Sequence, residues 1–179
     1  MRFEDAFAYT RNVAGSFEEP CCRHLWEAAI RCHGTMLEVG VLYGRSASLL
    51  LQAARVNHTK VILIDPCEPR HQEVRERAAR DFPDVEAQVL TVESKDAQVN
   101  EPLGLVHIDA VHCVDETGYD HPWHDAEHWL PLLEPGGFAC FHDYDPVVFP
   151  DIVRAVDHFT ADWIDVGTVG TLAIRVKPV

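Results

Sequence analysis

Short apolar runs alternate along the chain with longer stretches whose apolar residues recur every three or four positions. This alternation predicts βαβ units that build a largely parallel sheet covered by helices. Thr35–Val39 reads as the first strand, and Ala47, Leu50, Leu51 and Ala54 share one face of a helix from about Ser46 to Arg55. Lys60–Ile64 is the second strand; Asp65 and Pro66 close it, and the proline forces a turn. Glu73–Arg80 has the pattern of a charged surface helix, Ala87–Val92 that of a third strand, and Leu103–Ile108 that of a fourth ending in Asp109.

The pattern then repeats. Trp123, Ala126, Leu130 and Leu133 fall on one face of a helix over Trp123–Leu133, and Pro135-Gly136-Gly137 is expected to stop it before the strand Phe138–His142. A helix over Phe149–Asp162 turns Ile152, Val153, Val156 and Phe159 inward. Trp163–Val166 and Leu172–Val176, joined through Gly-Thr-Val-Gly-Thr, suit a C-terminal antiparallel hairpin. No repeat or low-complexity segment interrupts this order, so the expectation is one domain over 1–179, with an N-terminal helical segment, 1–34, before a core over 35–179.

Charge narrows the function classes. The chain carries 15 basic against 29 acidic residues, a formal net charge of −14, which repels nucleic-acid phosphates and anionic lipid headgroups. Neither nucleic acid nor membrane is the expected partner. No apolar run approaches the roughly 18 residues of a membrane span, and Met1–Thr10 lacks a signal-peptide pattern, so a soluble cytoplasmic protein is expected. The six cysteines form no CxxC pair and are read as reduced thiols.

In parallel α/β sheets, ligands lie beyond the carboxyl ends of the strands, so the residues at those ends are the candidates for chemistry. Glu38-Val39-Gly40-Val41-Leu42-Tyr43-Gly44-Arg45-Ser46 places glycines where the backbone must bend and approach a ligand just before a helix N-terminus. Asp65 ends the next strand twenty-five positions after Gly40. That is close to the spacing at which an acidic side chain accepts hydrogen bonds from ribose hydroxyls; the alternative for Asp65 is a turn-opening aspartate.

With these residues the chain resembles the class I S-adenosylmethionine-dependent methyltransferases, in their small-molecule O-methyltransferase-like branch. The resemblance spans roughly Met36 to Lys177. It rests on Leu37–Ser46, Val61–Asp65, Leu105–Asp109 with His112, and Trp129–Asp143, which reads WLPLLEPGGFACFHD. It implies a Rossmann-like, doubly wound, seven-stranded and mostly parallel sheet. It also implies S-adenosylmethionine as cofactor, with Glu38, Gly40, Gly44 and Ser46 around its methionine part, Asp65 on the ribose, Glu93 or Ser94 near adenine, and Asp109 alongside.

The implied reaction moves a methyl group to a small hydroxylated acceptor. Asp109, His112 and Asp143 are the expected catalytic residues, with His112 standing where some relatives have a base. Some relatives hold a divalent cation on the two strand-end aspartates, here Asp109 and Asp143, where magnesium would orient the acceptor oxygen. The asparagine that follows the second aspartate in metal-dependent catechol enzymes is replaced here by Tyr144. The alternative is that Asp109, His112 and Asp143 only cap strand ends.

His124 and His128 share a helix face, but Asp125 stands where HExxH has glutamate, so this stretch is read as a solvated face and substrate-side loop rather than a zinc site. Trp123 is read as core, with a place in the acceptor pocket as its alternative. So little chain lies between the strands that the acceptor site is expected either to be open or to be completed by a second copy in a homodimer. Two other functions compete: a non-catalytic cofactor-binding module, and a nicotinamide-dependent oxidoreductase, which would need the third glycine that is missing here.

Overall fold

The computed structural model describes residues 1–179. Seven strands run β1 Thr35–Val39, β2 Val61–Ile64, β3 Ala87–Leu90, β4 Leu103–Ile108, β5 Leu133–Phe141, β6 Ile164–Val169 and β7 Leu172–Val176. They form one sheet in the order β3-β2-β1-β4-β5-β7-β6. β1 to β5 pair in parallel, and β7 pairs antiparallel with both β5 and β6. This is the expected doubly wound sheet with its C-terminal hairpin.

Both faces are covered, so strands such as β1 and β2 are buried at every position and alternate residues feed two cores. Met36, Leu63, Leu105 and Ile174 pack beneath α1 Phe3–Thr10, α2 Glu19–Ala29, α3 Arg45–Asn57 and α4 Glu68–Asp81. Leu37, Ile62, Val106 and Phe141 pack beneath α5 His121–Trp129 and α6 Pro150–Phe159. Trp123 sits against this second core, its ring 4.5 Å from His158 and 4.8 Å from Phe159. No helix is long and apolar enough to cross a membrane.

The largest departures from the pattern are in α4, α5 and β5, while β6 runs on to Val169 rather than ending at Val166. α4 begins at Glu68 rather than Glu73, because Pro69 in its first turn pre-sets helical φ although no apolar residue marks that turn. α5 ends at Trp129 and continues as a 3₁₀ turn, Leu130–Leu132. Pro135-Gly136-Gly137 lies inside β5 rather than before it, where Gly136 N–H donates to Lys177 O and Lys177 N–H donates to Gly137 O.

Strand order reverses between β1 and β4, so the loops after these strands part there and open a crevice above the sheet. Gly40 is required at this point. Its φ is +85°, and a Cβ there would lie 2.0 Å from the carbonyl oxygen of Asp109. Gly44, at φ +83°, turns the chain into α3 from the outer side of the loop.

Candidate functional site

A cavity of about 410 Å³ fills this crevice. Gly40 and Ser46 line it beside α3, Asp65 beyond β2, Glu93 and Ser94 beyond β3, and Asp109, His112 and Asp143 beyond β4 and β5. The strand-end residues singled out from the sequence therefore converge, with two exceptions. Gly44 shapes the loop without lining the cavity. Glu38 is fully buried under the floor, where His107 Nδ1 lies 2.9 Å from its Oε1. Burial raises the Glu38 pKa, against the opposing hydrogen bond from His107. A carboxylate so placed supports the cavity from below rather than cradling a ligand directly.

Asp65 holds the glycine loop. Its Oδ2 accepts from Val41 N–H at 3.0 Å and Leu42 N–H at 2.9 Å, and its Oδ1 accepts from Cys67 N–H at 2.8 Å. A carboxylate offers about four acceptor positions, so one remains toward the cavity, where a ribose hydroxyl could donate.

The far wall is polar. His112 Nε2 lies 3.1 Å from Asp143 Oδ2, and one ligand atom each from Asp109, His112 and Asp143 fall within 4.8 Å of one another. Asp143 has φ +56°, a left-handed conformation that costs a non-glycine residue energy and concentrates at functional sites. His142, which is not among the residues expected from the sequence, is wedged between the two aspartates: its Nδ1 is 3.1 Å from Asp109 Oδ1 and 3.3 Å from Asp143 Oδ2. Burial alone would lower the His142 pKa, but hydrogen bonds with Asp109, Asp143 and Cys21 raise it to about 11. Burial likewise pushes Asp143 up, and the opposing pull of His142 and His112 leaves it below the usual carboxylate range.

This arrangement decides how well a cation fits. Two carboxylates and an imidazole suit manganese or zinc better than magnesium, which prefers all-oxygen ligands. The imidazolium of His142 already neutralises part of the site's charge. Tyr144, which replaces the asparagine of catechol enzymes, turns away to donate its hydroxyl to Asp157 at 2.7 Å. His124 stacks on Tyr119 at 4.4 Å and packs no metal cluster with His128.

The N-terminal segment contributes a wall that the sequence did not suggest. Gly15, Ser16 and Phe17, between α1 and α2, line the cavity, and the Phe17 ring lies 4.8 Å from His142 and 5.4 Å from His107. Arg45 fixes this strap by donating to the carbonyl oxygens of Val13 at 2.8 Å and Phe17 at 3.3 Å.

Solved structures share this architecture at low sequence identity. An O-methyltransferase from Bacillus cereus, solved in complex with SAH, is 19% identical with a TM-score of 0.69 over 98% of this chain and 90% of its own. The O-methyltransferase NovP is 16% identical with a TM-score of 0.68 over 88% of this chain and 79% of its own. An rRNA methylase from Streptococcus thermophilus is 14% identical with a TM-score of 0.66 over 92% of this chain and all of its own. No curated protein sequence matches the chain significantly. A family model described as a methyltransferase domain matches residues 37–144, from the glycine loop through Asp143. That match takes in more than half of the chain and every strand end around the cavity, and on it the protein belongs to the methyltransferase-domain family, as a class I S-adenosylmethionine-dependent methyltransferase.

Proposed function

We propose that the protein methylates a hydroxyl oxygen of a small acceptor bound against Asp109, His112 and Asp143. The observation that carries this reading is the convergence of these three side chains within 4.8 Å on the cavity wall that faces the glycine loop. When bound, S-adenosylmethionine supplies an electrophilic methyl group on a sulfonium centre. Gly40 and Ser46 would hold its methionine part, Asp65 the ribose, and Glu93 and Ser94 the adenine side.

His112 is the base in this reading. Asp143 lies against its Nε2, which favours the tautomer with the proton there and leaves Nδ1 to take the acceptor's proton. Asp109 and the His142 imidazolium fix the charge around the acceptor oxygen, and Phe149, 4.9 Å from the His112 ring, limits how far that ring can swing. Positioning matters because in-line attack needs the oxygen held at near-contact distance from the methyl carbon.

The acceptor is small in this reading for two reasons. Ligand sites run from roughly 300 to 1,000 Å³, and a 410 Å³ cavity leaves little room beyond one cofactor. The formal charge of −14 also disfavours an RNA acceptor. Val111, half-exposed in the loop after Asp109, lines the cavity and offers an apolar surface to the carbon skeleton of a hydroxylated organic compound.

The same cluster supports a second reading, in which Asp109, His112 and Asp143 ligate a divalent cation. Such a cation would lower the pKa of the acceptor hydroxyl and orient it, and His112 would then be a ligand rather than the base. An assay for S-adenosylhomocysteine release over a panel of phenols and other alcohols, with and without chelator, tests both. Turnover that survives chelation and is lost in His112→Gln supports the base; turnover abolished by chelator and restored by manganese supports the metal. No turnover of any hydroxyl compound would overturn the proposal.

A further inference from the structure

The turn Gly170-Thr171, between β6 and β7, does not line the cavity, yet it is tied to the far wall at two points. Thr171 O accepts Tyr144 N–H at 2.9 Å, and Thr171 Oγ1 lies 3.3 Å from His142 Nε2. The turn is itself fixed against α2. Cys21 Sγ donates to Val169 O at 3.4 Å, and a Cβ on Gly170, at φ +61°, would lie 2.8 Å from that sulfur. The Thr171 hydroxyl thus meets His142 from a part of the fold with little room to move.

Both edges of the His142 ring are held by polar atoms. Nδ1 lies between Asp109 and Asp143, and Nε2 faces Thr171. Packing alone would not fix this orientation, because an imidazole turned over about its Cβ–Cγ bond has almost the same outline against Phe17. Turned over, it would present carbon to the carboxylates and carbon to the hydroxyl. A threonine hydroxyl can donate or accept, so the tether holds whether or not Nε2 carries a proton. Cys21 also hydrogen-bonds His142, but a thiol is a weak partner and does not replace the hydroxyl. The ring in turn bears on the base through one atom: Asp143 Oδ2 lies 3.3 Å from His142 Nδ1 and 3.1 Å from His112 Nε2.

We infer that Thr171 is a positioning residue for methyl transfer: its hydroxyl fixes the His142 ring, and the ring fixes Asp143 and with it the His112 base. The inference rests on the acceptor reading above and adds to it a residue of the C-terminal hairpin that touches neither cofactor nor acceptor. Displacing a reacting group by about 1 Å costs about 10²-fold in rate, so a loosened ring is expected to cost less than that but a measurable part of it.

The test compares Thr171→Val, which keeps the shape and the backbone carbonyl and loses the hydroxyl, with Thr171→Ser, which restores it. With a phenol that the wild type methylates, kcat is expected to fall about tenfold in Thr171→Val and to stay within about threefold of wild type in Thr171→Ser. S-adenosylhomocysteine affinity, by calorimetry, should change by less than about threefold in both. Nitrogen-15 NMR of histidine-labelled protein, with the His142 ring assigned from His142→Gln, needs no acceptor: the Nε2 resonance should shift in Thr171→Val and stay in place in Thr171→Ser. Full activity in Thr171→Val overturns the proposal, as does an unmoved Nε2 resonance, or an equal loss of kcat in the valine and serine variants. A wild type that methylates no hydroxyl compound overturns the acceptor reading instead, and the ring resonances still tell whether Thr171 holds His142. Should Thr171→Val fail to fold, Thr171→Ala takes its place with the same expectations.

Discussion

The carboxylate of Asp65 holds the backbone N–H of Leu42 at 2.9 Å, across the gap between the β2 end and the glycine loop, while Leu42 sits at φ +51°. Asp65 also takes Val41 N–H and Cys67 N–H, so one side chain stabilises both walls of the cofactor cavity. Replacing it removes the acceptor of one buried and two partly buried N–H groups, one of them on a left-handed leucine.

Asp65→Ala is therefore expected to lower folding stability by about 3 kcal/mol and to weaken S-adenosylhomocysteine binding at least tenfold. Denaturant unfolding measures the first and calorimetry the second. A variant as stable as the wild type would show that the loop holds its shape without the carboxylate.

His112→Gln keeps a polar side chain of similar reach but removes the base. Its kcat is expected to fall by about 10²- to 10⁴-fold, with S-adenosylhomocysteine affinity changed by less than about threefold, since that ligand leaves the acceptor position empty. The loss should shrink as pH rises and the acceptor hydroxyl ionises unaided. A pH-independent deficit would point to a role for His112 in holding the acceptor rather than taking its proton.

Asp125 gives the protein a pH dependence of known sign. Burial raises its pKa from 3.8 to about 6, against the hydrogen bond from Ser94 and the charges of His121, His128 and His124. The folded state thus binds the proton more tightly than the unfolded chain does, and the resulting stabilisation is present at low pH and lost as pH rises from about 4 through about 6. At about 1.4 kcal/mol per pKa unit, the folded wild type loses up to about 3 kcal/mol from this group across that window. Asp125→Asn cannot ionise. It is expected to match the wild type near pH 4 and to exceed it in stability above pH 7, which thermal unfolding across pH would show; parallel curves for the two proteins would contradict it.

Why some of these residues could be read from the sequence and others could not has a physical basis. Gly40, Asp65, Asp109 and Asp143 follow strands whose apolar runs are easy to see, and chain topology alone brings those ends together. Asp125 falls, with its neighbours, in a stretch whose sequence reads as a solvated, histidine-rich face. The stripe that is buried on α5 is Pro122, Asp125, Ala126 and Trp129, and reading that helical spacing would have singled out a carboxylate on an inward face. Glu38 departs for the opposite reason: strand alternation sends it into the core face with Met36, where His107 on the adjacent strand partners its buried carboxyl. The strap over Gly15 to Phe17 has no periodicity at all, and its place depends on Arg45, thirty-two positions from Val13 in the chain.

The Arg45 guanidinium holds Val13 and Phe17 by their carbonyls, and the Arg45 stem packs against Gly15, where a Cβ would lie 3.1 Å from Arg45 Cβ. Arg45→Met keeps the stem and removes the donors. Freed residues lose about 1–2 kcal/mol of backbone entropy each when they are ordered again on ligand binding, so an uncompensated cost of one residue is about tenfold in affinity. S-adenosylhomocysteine is expected to bind Arg45→Met about tenfold more weakly. Hydrogen exchange at residues 13–17 should be fast in the free variant and slow once the ligand is bound, whereas the wild-type segment should be protected in both states. Equal protection in variant and wild type would mean that Phe17, packed between His107 and His142, anchors the strap without help from Arg45.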